Sequence, residues 1–390
     1  MRIFISTGEV SGDLQGAMLV EALYRQAENQ GIPLEILALG GELMAAAGAK
    51  LLGNTAAISS IGIVESLPFI IPTWLMQRRV KAYLQDNPPD LFILLDYMGP
   101  NVPFGQYVRK KLPQVPIIYY IAPQSWVWSP NDKTIQEFTE ITDLLLAIFP
   151  EEARFFAEKG VKVKWVGHPL LDRMAKAPSR EATRQALGLD PEQPVIALFP
   201  ASRYQELKFH LPLICRAAQK LQEKVPDLHF LLPISLSEYR SIVEEVVKQH
   251  QLSITLLDGR AIEVMAAADF AIAKSGTVNL ELALLNVPQL VLCLVSPLTM
   301  WIARHILKFS IPFMSPPNLI VMENIIPELL QEEATVERIV QESLDLLLNT
   351  ERRQKILVGY QKMRTLLGDV GVCDRAANEI LAFQGSSRQI

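Results

Sequence analysis

The chain has 390 residues, 49% of them hydrophobic and 20% charged, a composition that excludes disorder except at the terminal GSSRQI. That length exceeds what one hydrophobic core organises, so two domains are expected. A net charge of −5 and a pI near 5.7 provide no general basic field and argue against a nucleic-acid partner.

The N-terminal run RIFIS (2–6) is too short for a signal segment and predicts a first strand. Further continuous apolar runs follow at LEILAL (34–39), LFILLD (91–96), PIIYYI (116–121) and LLLAIF (144–149), with helix-patterned segments between them. Strands of that kind belong to a parallel sheet covered on both faces. A helix and turn at 177–194 precede a second series: VIALFP (195–200), HFLLPI (229–234), DFAIA (269–273) and QLVLCL (289–294). The expected fold class is therefore α/β, with two Rossmann-like doubly wound domains at 1–180 and 181–345, then a charged helical segment at 346–390. Cys215, Cys293 and Cys373 lack metal or pairing spacing and predict buried thiols in a reducing compartment. No apolar stretch reaches the roughly 18 residues of a spanning helix, so a cytoplasmic protein is expected.

Doubly wound sheets bind ligands beyond the carboxyl ends of their strands, and four strand ends here carry polar clusters. In STGEVSGDLQGA (6–17), Gly8 and Gly12 permit a close turn while Glu9 and Asp13 lie beside a helix start, where two carboxylates would repel phosphate and suit acceptor hydroxyls; a structural turn is equally compatible. Asp96 ends an apolar strand, where desolvation would suit a general base, or where it is a turn residue. After VIALFP, Ser202 and Arg203 open a helix, so amides and a guanidinium could hold a diphosphate, unless Arg203 is a surface partner of Glu206. In AKSGTVNLELALLNVP (273–288), Ser275, Gly276 and Thr277 start another helix, and Glu281 lies on the same face as Thr277; the pair reads either as a ribose-binding carboxylate beside phosphate-binding amides or as a capping motif.

Taken with GG (40–41), SIGIVESL (60–67), YYIAPQSWVW (119–128), VGHPLLD (166–172) and PPNLIVMENIIPELLQ (316–331), these motifs resemble the lipid-A-disaccharide synthase family, in one order over nearly the whole chain. The resemblance implies an inverting glycosyltransferase of the two-Rossmann-domain (GT-B) type, its domains facing across a cleft. The implied reaction joins UDP-2,3-diacylglucosamine to 2,3-diacylglucosamine 1-phosphate, giving the β-1,6 disaccharide and UDP in lipid A biosynthesis, without metal or cofactor. It further implies an N-terminal acyl-sugar acceptor domain, with Asp96 as base, Glu9 as a second carboxylate, and Gly8, Ser11, Gly12 and Asp13 in the acceptor loop. The C-terminal domain would hold UDP through Ser202, Arg203, Ser275, Gly276, Thr277, Glu281 and Asn318, and Glu328 and Gln331 match the family's last motif. The chain departs from the family pattern at Gln15, Ala201, Ser129, Asp132, Cys293 and Leu294, which removes several anion contacts.

An acylated substrate calls for membrane-facing surface. In SLPFIIPTWLMQRRVKAYL (66–84), Phe69, Ile70, Ile71, Trp74, Leu75 and Met76 precede Arg78, Arg79 and Lys81, an apolar and basic pairing suited to an anionic bilayer, though a helix packed on its own domain has the same pattern. PLTMWIARHILKFSIPFM (297–314) repeats it with Trp301, Ile302, Ile306 and Phe309 beside Arg304, His305 and Lys308. The expected location is the inner face of the bacterial cytoplasmic membrane, and a homodimer is compatible. Two other activities fit the same architecture: a UDP-N-acetylglucosamine 2-epimerase, or an idle nucleotide-binding protein.

Overall fold

The computed structural model describes residues 1–8, 10–55, 70–96, 98–122, 126–127, 132–201, 204–305 and 311–383. The first sheet contains β1 (Arg2–Ser6), β2 (Glu35–Gly40), β3 (Lys50–Asn54), β4 (Leu91–Leu95), β5 (Ile117–Tyr120), β6 (Leu144–Ala147) and β7 (Val163–Trp165), in the order β3-β2-β1-β4-β5-β6-β7. The second contains β8 (Val195–Phe199), β9 (His229–Ile234), β10 (Ile254–Asp258), β11 (Phe270–Lys274), β12 (Gln289–Cys293) and β13 (Glu328–Leu330), in the order β10-β9-β8-β11-β12-β13. Every described strand pair is parallel. Both sheets thus have the doubly wound order expected of strands alternating with helices.

The nine strands legible in sequence are the interior ones; β3, β7, β10 and β13 are the four sheet edges. Interior strands such as LFILL are buried on both faces, whereas the pattern in β7 is half-buried then exposed. In the first sheet, Phe4, Phe92 and Phe104 form an aromatic centre with ring centroids 4.7, 5.1 and 5.8 Å apart. The second core is built on smaller residues, with Ala197, Ala271 and Ala273 under Leu231 and Leu282.

The chain forms two compact units, one of Met1–Asp172, Trp301–Ser310 and Leu367–Ile390, the other of Arg173–Met300 and Ile311–Leu366. Their junction differs from the expected 180/181, and residues 346–390 are not one segment. Helix Thr350–Leu367 serves the second unit, where the Tyr360 hydroxyl donates to Val287 O at 3.0 Å. Helix Val372–Leu381 returns to the first unit and packs on helix Val10–Asn29. The Asp172 carboxylate caps it, accepting from the amides of Gly371, Val372 and Cys373 at 2.6, 3.1 and 2.8 Å. Among the described residues, no helix is long and apolar enough to cross a membrane. Cys215 and Cys373 are buried, Cys293 half-buried, and all three are free thiols.

Candidate active site

In the first sheet the strand order reverses between β1 and β4, so a crevice opens where those strands end. Asp96 follows β4 with φ +47°, and Ile121 follows the adjacent β5 with φ +61°. Side chains other than glycine enter this left-handed region at a cost of about 1 kcal/mol. Hydrogen bonds hold Asp96 there. Its N–H donates to Tyr120 O and Ile121 O at 3.3 and 3.1 Å, and its carbonyl accepts from Asn101 Nδ2 at 2.9 Å and the Tyr119 hydroxyl at 2.7 Å. Asn101, fully buried on the helix Met98–Lys111, also accepts from Ser6 Oγ at 2.8 Å and directs Nδ2 to the Leu95 and Ser6 carbonyls. One side chain therefore ties the end of β1 to the end of β4.

Gly8 and Gly12 are buried and Ser11 is half-buried. Gly12 lies in the first turn of helix Val10–Asn29 rather than in the turn after β1, and a Cβ there would collide with Thr7 Oγ1. Asp13 is buried, and its carboxylate accepts from the amides of Gly41, Leu43 and Met44 at 2.8, 3.1 and 3.1 Å, capping helix Glu42–Ala46. Its oxygens are committed to this cap rather than presented to an acceptor sugar. Glu152 joins the ends of β5 and β6, accepting from Ala122 N at 2.8 Å and from Ile148 N and Phe149 N at 2.7 and 3.1 Å. Burial raises its pKa to about 7 against the three amides, and the charge of Asp96 adds to the rise. Burial lowers His168 to about 3, so it is a neutral core imidazole. Trp126 packs on Phe149 with ring centroids 5.9 Å apart, and Trp128 lies outside the described residues, as does Glu9.

The second sheet reverses between β8 and β11. Ser202 and Arg203, after β8, lie outside the described residues. After β11, the helix Thr277–Leu284 starts at Gly276, whose N–H donates to Asn279 Oδ1 at 2.8 Å. Asn279 closes the helix start, so the Thr277-to-Glu281 spacing is not the cap. Glu281 is buried, and burial raises its pKa despite Arg173, whose Nε lies 3.3 Å from Oε1. Ser275 Oγ donates to Met314 O at 2.6 Å.

Asn318 is enclosed. Its Oδ1 accepts from Ile325 N and Ile326 N at 2.9 and 3.0 Å, and Nδ2 donates to Ile326 O and Glu328 Oε1 at 2.9 and 2.7 Å. Glu328 in turn accepts from Met314 N and Ser315 N at 2.8 and 3.0 Å. Gln331 Nε2 donates to Val295 O at 3.3 Å. Glu328 thus pins the loop before helix Pro316–Val321 and Asn318 the loop after it, and these bonds occupy their polar atoms. Sequence reasoning missed Asn101 and Glu152. Asn101 carried a faint signal, an amide in the first helical turn after Asp96; Glu152 had none.

On helix Ile70–Asp86, Val80 and Leu84 face the core while Ile70, Ile71, Trp74 and Leu75 are exposed, Ile71 by 68%. Arg78 lies over the Trp74 ring at 5.5 Å, Arg79 is exposed, and Phe69 lies outside the described residues. Trp301 and Leu298 are likewise exposed, with Trp301 stacked on His305 at 5.3 Å; Ile306, Lys308 and Phe309 lie outside the described residues.

Two parallel doubly wound sheets, with polar clusters at both order reversals, define a two-unit α/β fold of the GT-B class. A Neisseria meningitidis UDP-GlcNAc 2-epimerase solved with UDP-GlcNAc matches it with a TM-score of 0.67 at 13% identity, over 98% of this chain and 100% of that one. A calicheamicin glycosyltransferase matches with a TM-score of 0.60 at 15% identity, over 100% and 99%. The sequence goes further than the fold: residues 3–382 match the family described as lipid-A-disaccharide synthetase. A lipid-A-disaccharide synthase of Gloeothece citriformis is 64% identical over 383 residues, 98% of this chain and 100% of that protein. The chain belongs to the lipid-A-disaccharide synthase family, glycosyltransferases of lipid A biosynthesis that take a UDP-sugar donor and a sugar acceptor.

Proposed function

We propose that Asp96 is the general base of this transfer, that the first unit receives the acyl-sugar acceptor, and that the second holds UDP at the helix start Thr277–Leu284. The observation carrying the proposal is the pinned left-handed backbone of Asp96 at the order reversal of the first sheet. The base removes the proton of the acceptor 6-hydroxyl, whose oxygen forms a bond to the anomeric carbon of UDP-2,3-diacylglucosamine. The bond to the diphosphate breaks on the opposite face, configuration inverts, and UDP leaves with the electron pair. Amides of a helix start stabilise that departing charge. Gly8, Ser11 and Gly12 border the acceptor, with Glu9 as a second carboxylate; Ser202, Arg203, Ser275, Gly276, Thr277 and Glu281 border the nucleotide.

Exposed Ile70, Ile71, Trp74 and Leu75 beside Arg78 and Arg79 support peripheral contact with the anionic inner face of the cytoplasmic membrane, where diacylated substrates reside. Supplying both acylated sugars in detergent and following disaccharide and UDP tests the reading. Asp96→Asn should lower kcat by roughly 100-fold or more. Full activity in the variant would remove Asp96 as base. Turnover of UDP-N-acetylglucosamine alone would favour an epimerase, and UDP binding without transfer an idle protein.

A further inference from the structure

Lys274 ends β11 directly before the Ser275–Gly276–Thr277 turn, with its side chain about nine-tenths buried. Its Nζ donates to Glu206 Oε1 at 2.8 Å, and Glu206 is half-buried in the first turn of helix Tyr204–Lys224. An ammonium has three donors, and among the described residues Glu206 is the one acceptor they meet. A Cβ placed on Gly276 would lie 3.3 Å from Nζ, so the ammonium lies directly beside that turn.

Charge balance points the same way. Among the described residues that end or directly follow β8, β11, β12 and β13, Lys274 is the one lysine or arginine; β12 ends in Cys293, and Leu294 follows it. The carboxylates of Glu206 and Glu328 lie in the same neighbourhood, and both act electrostatically on the Cys293 thiol together with Lys274. Against these two acids the described strand ends supply Lys274 to an arriving diphosphate; Arg203, which the proposed site also includes, lies outside the described residues. A buried ammonium–carboxylate pair adds little stability over apolar packing at a strand end, so its presence beside the Ser275–Gly276–Thr277 turn points to a use for the charge.

We infer that Lys274 binds the diphosphate of the nucleotide donor directly, with Glu206 holding the ammonium in place when the site is empty. The two spare hydrogens turn onto phosphate oxygens as the nucleotide enters, while the Glu206 contact is kept. The ammonium then also faces the charge that grows on UDP as the glycosidic bond breaks. This inference rests on the nucleotide reading of the second unit proposed above.

Calorimetric titration of the full chain with UDP and with uridine tests it, using wild type, Lys274→Met and the double variant Lys274→Met/Glu206→Gln. UDP affinity should fall roughly 10- to 100-fold in the single variant, the loss expected for a charge-assisted contact. Uridine, which lacks phosphates, should bind all three proteins equally. The double variant has no stranded buried carboxylate, so it should melt near wild type and still bind UDP weakly. Recovery of wild-type UDP affinity in the double variant would mean that Lys274 only neutralises Glu206, and would overturn the inference. A parallel loss of uridine affinity would overturn it too, by exposing a general distortion. If wild type bound uridine and UDP equally, the diphosphate reading itself would fail, a result distinct from either outcome.

Discussion

Removal of the Asn101 side chain tests whether the geometry of Asp96 is built or incidental. Asn101→Ala deletes one accepted bond from Ser6 Oγ and the donations to three carbonyls at 2.9 to 3.2 Å. With two amide hydrogens available, about three full bonds are lost, each worth about 1 kcal/mol net, and the buried Ser6 hydroxyl is stranded for about 1 kcal/mol more. The first unit should therefore lose roughly 3 to 5 kcal/mol, a large share of a typical domain's stability. Tyr119→Phe removes only the 2.7 Å donation to Asp96 O and should cost about 1 kcal/mol. Loss of transfer should exceed loss of fold. A shift of about 1 Å in a positioned group lowers rate on the order of 100-fold, so Asn101→Ala assayed well below its melting temperature should show a depressed kcat with little change in KM. Urea melts followed by tryptophan fluorescence, beside steady-state transfer assays, measure both quantities. An Asn101→Ala protein with unchanged midpoint and kcat would refute the claim that this amide sets the Asp96 backbone.

Other perturbations have equally definite outcomes. Glu152 titrates near 7 in the folded protein against an ordinary 4.5, so between those pH values the native state binds more protons than the unfolded one. The associated stability is full below the lower value and lost as pH rises to about 7, by about 3 kcal/mol; Glu152→Gln should flatten that slope in urea midpoints measured from pH 5 to 8. Gly12→Ala should reduce the unfolding free energy through its collision with Thr7 Oγ1, by roughly 1 to 3 kcal/mol, and Thr7→Ala should relieve much of that loss in a double-mutant cycle; additive losses would disprove the contact. Trp74→Glu with Arg78→Glu should abolish sedimentation with anionic vesicles without moving the melting temperature, since both side chains are exposed.

The interior of both sheets was legible because a strand buried on two faces must be apolar at every position. The four edges were not, for the same reason: KLLGN, VKW and ITLLD lie half open to solvent and mix polar with apolar residues, while ELL is only three residues long. The strand read as DFAIA begins one residue later, since Asp269 accepts from Arg180, Arg184 and Val195 N just before it. Site residues divide along a different line. Strand-end position singled out Asp96, but sequence does not distinguish a carboxylate or amide aimed at a ligand from one that holds backbone. Asp13, Asn318 and Glu328 are of the second kind, their oxygens taken by amides many residues away. Lys274 escaped notice because a cation at the end of an apolar strand looks like a strand terminator until Glu206 is found beside it.

The return of the final helix to the first unit governs the order in which the molecule can be completed. Residues 1–172 emerge from the ribosome with Asp172 facing no amides and one side of helix Val10–Asn29 uncovered, and they remain so until translation reaches residue 381. A nonsense codon shortly after residue 366 would spare the later-made unit and damage the earlier one. Removing the tail therefore amounts to a lesion in the head of the chain.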